Sequence, residues 1–196
     1  MERYGFDLAG TEMRVMGTEE LISELRDQVQ SLQQQFDMSH SMDEMAERLD
    51  EILDREQGAL REAHGHESSR LNDFMQRRHE GSEQVSDRVE RFRDHEWQDA
   101  EAEDDYRELL EEQERMAALE DFLNQQGQRF QGPEQAGYEQ AQEIREQIEA
   151  LQQMMQNLSE GNFDSISPDQ LRDMLGEPGA QSFILLQDLR SRLEGA

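Results

Sequence analysis

The chain has 196 residues, of which 47 are Asp or Glu, 19 are Arg and none is Lys, giving a formal charge of −28 at pH 7. This balance argues against direct nucleic-acid binding, because even the densest arginine cluster, Arg77, Arg78, Arg88, Arg91 and Arg93, is diluted by Glu80, Glu83, Asp87, Glu90 and Asp94. No run approaches the roughly 18 apolar residues of a membrane span, the first residues lack a signal-peptide core, and the absence of Cys removes disulfides, thiolate nucleophiles and cysteine zinc sites.

A compact body with this charge repels itself, and the repulsion is tolerated where salt shortens the screening length to roughly 3 Å at 1 M. Exclusive use of Arg, whose flat fork pairs bidentately with carboxylates, suits an acidic surface in brine. The composition therefore points to a halophilic, cytoplasmic protein. Hydrophobic residues make up 34% and aromatics 6%, enough for narrow amphipathic seams but thin for one large core. The expected class is all-α, an elongated helical bundle or set of hairpins with coiled-coil-like seams and no sheet of consequence.

In chain order, residues 1–17 read as an N-terminal tail. The spacing of Leu21, Leu25, Val29, Leu32 and Phe36 predicts a helix starting near Thr18. Ser41 with Glu44 spells a capping box for a second helix, whose stripe is Met45, Leu49, Ile52 or Leu53, and Leu60. The short link 37–40 predicts an antiparallel hairpin over 18–62. Residues 63–99 carry only short stripes, Leu71, Phe74, Met75 and then Val85, Val89, Phe92, among Gly, His and Ser; they read as a weakly ordered linker with short helices.

Residues 100–160 read as a long helical pair. The first helix runs from about Ala100 to Gln126 and is broken at Gly127 and Gly132-Pro133, with Pro133 placed in the first turn of the next. The second carries the stripe Tyr138, Ala141, Ile144, Ile148, Leu151, Met155 and Leu158 and ends at Gly161-Asn162. In 161–196, Ser167 followed by Pro168, Asp169 and Gln170 marks the start of a short helix stopped at Gly176. A final helix follows from about Gly179, containing Phe183-Ile184-Leu185-Leu186, then Leu189 and Leu193. That helix is either buried almost all round or lacks its partner.

Three patterns invite chemistry. Asp37, Ser39 and Ser41 spell D-x-S-x-S, a divalent-ion motif of von Willebrand factor type A (VWA) domains. It requires a buried strand before the Asp, whereas a polar helix end precedes it here, so the segment reads as a turn and not as a metal site. His64 and His66 are two apart and do not share a helix face, which makes them solvated loop residues. The acidic runs Glu101 to Asp105 and Glu108 to Glu114 read as solvated faces. With no Ser-His-Asp set, phosphate-cradling glycine loop or H-E-x-x-H helix, no catalytic residue and no cofactor is assigned.

The order of segments resembles a known family. Leu25 to Leu53, with Phe36-Asp37 and the run Met42 to Ile52, is similar to the helical region preceding the VWA domain in CoxE-like, VWA-containing proteins of bacteria and archaea. Arg88 to Trp97, followed by Ala100-Glu101-Ala102 and Tyr106 to Leu110, resembles that family's aromatic-acidic linker and the helix after it. Leu158 to Phe163, Ser167 to Gly176 and Ser182 to Leu193 resemble its helices around a winged-helix-like segment. The resemblance spans about 170 residues. It implies a separated helical domain, or a truncated or split member, since a wing and a VWA domain would be expected beyond Ala196. It also implies a partner: a MoxR-type AAA+ ATPase or a VWA protein, in maturation or remodelling of other proteins.

The expected function is a non-catalytic adaptor that binds protein, with Phe183, Ile184, Leu186, Leu189 and Leu193 as candidate contact residues. The competing reading of these five is that they close the core against Leu171 and Leu175. The alternative function is a self-associating coiled-coil scaffold, a homo-oligomer built on Leu21 to Leu60 and Tyr138 to Leu158, although Gly127, Gly132 and Gly161 interrupt the heptads.

Overall fold

A computed structural model describes residues 6–7 and 14–194, with side chains described for 16–192. The fold is all-α: eight α-helices carry the described chain, with two-residue strand pairs as the only extended pairing among the described residues. No helix among them is long and apolar enough to cross a membrane. The chain divides into two compact units, Met1–Gln33 together with Glu146–Ala196, and Gln34–Arg145.

The 34–145 unit holds helices α2 (Asp43–His64), α3 (Ser69–His79), α4 (Val85–Glu90), α5 (Ala100–Glu111) and α6 (Gln113–Gln126). α2 is central because its stripe Met45, Leu49, Ile52, Leu53 and Leu60 is wholly buried, and it packs against α3, α4 and α5. α4 packs in turn on α5 and α6. Two helix starts are capped by side chains: the Ser68 hydroxyl accepts the Leu71 N–H at 3.2 Å, and the Asp99 carboxylate accepts the Ala102 N–H at 2.8 Å. Each satisfies one of the amide donors a helix start leaves without an intrahelical partner.

The ends of this unit meet in a parallel strand pair, β3 (Phe36–Asp37) with β4 (Glu134–Gln135). The Gly132 N–H donates to the Phe36 carbonyl at 3.0 Å and the Ala136 N–H to the Asp37 carbonyl at 2.9 Å. Gly132 is required by contact, since a Cβ there would stand 2.0 Å from the Gln35 carbonyl carbon.

The other unit holds most of α1 (Thr18–Gln35), the later part of α7 (Tyr138–Glu160) and α8 (Pro168–Glu194), with the antiparallel pair β1 (Phe6–Asp7) and β2 (Arg14–Val15). Its buried side chains are Leu21, Leu25 and Val29 of α1, Ile148, Leu151, Met154 and Leu158 of α7, Phe163 and Ile166, and Leu171, Ala180, Phe183 and Leu186 of α8. α7 ends at Gly161, φ 74°, where the Asn162 N–H reaches the Asn157 carbonyl at 2.8 Å. Inside α8 the helical path breaks at Gly176, φ 72° and ψ −175°, where the sequence places a stop.

Several expectations change. The paired helices expected over 18–62 are divided, because the unit boundary falls between Gln33 and Gln34. Ser41 is not a cap: α2 begins two residues later with Met42 preceding it, and the Ser41 hydroxyl turns inward to donate to the Met38 carbonyl at 2.8 Å. Residues 63–99 carry the short helices expected, α3 and α4, but these bury Leu71, Phe74, Val85 and Val89 within the core, joined by Phe92, in place of a weakly ordered linker. The helix of 100–126 is two helices, interrupted at Glu112. Pro133 lies before β4, not in the first turn of α7, and Met154 rather than Met155 is the buried residue of that helix. The expected N-terminal tail lies partly outside the described residues, and where described it forms β1 and β2.

Candidate functional site

The hydrophobic residues of α8 separate into two groups. Phe183 and Leu186 are buried, at 0% and 4% exposure, whereas Ile184 and Leu189 are 43% and 40% exposed and are the large hydrophobic side chains left open among the described residues. Helical spacing explains part of the split. At 100° per residue, Ala180, Phe183 and Leu186 share one arc and Ile184 and Leu185 lie away from it with Asp188 and Arg192, whereas Leu189 lies within about 20° of the buried Ser182, two turns further along the helix. Of the expected contact set, the core reading therefore holds for Phe183 and Leu186, and Leu193 has no described side chain.

The buried arc is fixed by specific partners. Phe183 meets Phe163 with ring centroids 5.8 Å apart, and the Arg190 guanidinium stands 5.3 Å from the Phe163 ring centre while bonding to the Gly161 carbonyl. Ser182, 2% exposed, accepts the Met16 N–H at 3.0 Å. These contacts orient the helix, so that its outward face is set by the packing of its inward one. Arg192 pairs with Asp188 at 2.7 Å, at an angle between Ile184 and Leu189.

In the other unit the polar clusters are occupied internally. Glu56 is fully buried on the apolar face of α2, and its carboxylate accepts from His95 Nε2 at 2.8 Å, from the Gln98 N–H at 2.9 and 3.0 Å, and from the Asp99 N–H at 2.9 Å. Burial pushes its carboxyl up, and these hydrogen bonds more than offset that push, holding it below the ordinary range. His95 continues a file of rings: Phe74 to Phe92 at 5.4 Å, Phe92 to His95 at 5.9 Å, His95 to Trp97 at 4.9 Å and Trp97 to Tyr106 at 4.8 Å. Tyr106 donates to the Val89 carbonyl at 2.6 Å, and burial pushes its phenol well up.

Glu120 works in the same way at α4, where it accepts the Val85 N–H at 2.6 Å, the Ser86 N–H at 3.2 Å and the Ser86 hydroxyl. Neither carboxylate was singled out in the sequence, yet both carried a signal. Glu56 stands between Ile52, Leu53 and Leu60 on the stripe of α2, and Glu120 is four residues from Met116 and three from Leu123. An acid on an apolar stripe needs buried donors.

The Asp37 carboxylate accepts the Ser39 N–H at 2.9 Å in a local turn, while Ser41 points to the Met38 carbonyl. His64 lies at the end of α2 with Nε2 3.2 Å from the Gln98 side chain, and His66 is exposed. No group of three or more metal-binding side chains converges among the described residues. The acidic runs are partly paired: Glu108 with Arg48 at 2.5 Å, Asp105 with Arg55, and Glu112 with Arg115 at 2.7 Å. The chain matches no protein-family model, and no curated protein or solved structure matches it.

Proposed function

We propose that this chain is a non-catalytic protein-binding module of a salt-adapted cytoplasm, and that the outward face of the second half of α8 is its contact surface. The observation that carries the reading is the pair Ile184 and Leu189, two large aliphatic side chains about two-fifths exposed on a helix whose other side is already buried. Scattered apolar residues are ordinary on a surface, but here they join Leu185 on one half of one helix in a chain with only 34% hydrophobic residues. Exposed aliphatic side chains set beside a charged pair are a pattern a partner helix or groove uses.

What supports a place for this module in an assembly of a VWA protein with a MoxR-type AAA+ ATPase that matures or remodels other proteins is the resemblance of Leu25 to Leu53, Arg88 to Trp97, Ser167 to Gly176 and Ser182 to Leu193 to the helical region of CoxE-like, VWA-containing proteins. The test is affinity capture of the chain from its native host in molar KCl, with the retained proteins identified by mass spectrometry. An AAA+ ATPase or VWA protein retained by the native chain and lost from Ile184→Ser/Leu189→Ser, with helicity unchanged, is the expected result. Retention of the same partner by the double variant, or recovery of the chain alone, overturns the reading.

A further inference from the structure

We draw no further inference here: the strongest candidate, the cleft between α2, α3 and α4 lined by Arg78, Arg88 and Arg91, carries nothing, because its guanidinium groups are already held by Asp54, Asp50 and the Ser82 carbonyl and nothing in the structure shows what else would occupy it.

Discussion

Residues 63–99 and the second half of α8 invert what their sequences suggest. The first is poor in apolar residues and rich in His, Ser and Gly, yet it buries Leu71, Phe74, Val85, Val89 and Phe92 and is tied down by two buried carboxylates. The second contains the most hydrophobic run of the chain, yet leaves Ile184 and Leu189 open. Burial is decided by whether a neighbour exists on each side of an element. A thin stripe suffices where a hydrogen-bonded hub fixes the loop around it, and a rich helix stays partly bare when only one of its sides has a neighbour.

The comparison can be broken most forcefully inside α8 itself. Leu186→Asp places a charge on the buried arc and should cost about 4 kcal/mol or more, read as loss of the cooperative urea transition in KCl. If Leu186→Asp instead costs as little as a surface change, the inward and outward halves of α8 are not distinct. Next in size is Glu56→Ala, which leaves His95 and the Gln98 and Asp99 amides facing an apolar site; a loss of about 3 kcal/mol is expected, with a red shift of Trp97 emission as its surroundings loosen.

Acid sharpens the same point. Because Glu56 titrates below its ordinary value of 4.5, its contribution is fully present above that value and disappears as pH falls through the lower folded-state value. Glu56→Gln should flatten the fall of stability in that acidic window, read as urea midpoints across that pH range. A smaller effect is expected for Ser68→Ala, which removes the cap of α3 and should cost about 1 kcal/mol; a change near zero would mean that residues 63–99 are loose after all. Least affected is Ile184→Ser/Leu189→Ser, expected to shift stability by about 0.5 kcal/mol or less in thermal melts, because both side chains already meet water.

Much of the helical plan was legible from spacing. Leu21, Leu25 and Val29 mark α1, the stripe of α2 is buried as its periodicity requires, and Gly161 and Gly176 take positive φ at the two stops the sequence marked. What the sequence hid was tertiary. Ser41 and Glu44 match a capping box, but the chain needed Ser41 to satisfy the Met38 carbonyl in a buried turn, and that need is invisible in a four-residue pattern. Pro133 suits a helix start equally well as the approach to a strand, and pairing with Phe36, almost a hundred residues earlier, decided it. Of the α8 contact set, hydrophobicity alone could not separate Phe183 and Leu186 from Ile184 and Leu189; angular position sets Ile184 apart, but Leu189 lies at nearly the angle of buried Ser182, and only its place further along the helix leaves it open.

The Glu56 hub also sets a clock. Gln98 and Asp99 lie outside any helix, between α4 and α5, where backbone amides ordinarily trade their hydrogens with water within seconds to minutes. Here both amides are committed to a carboxylate with no exposed surface. In deuterated buffer they should keep their protons as long as the amides in the middle of α2, because releasing them requires opening the core beneath α2 rather than fraying a loop.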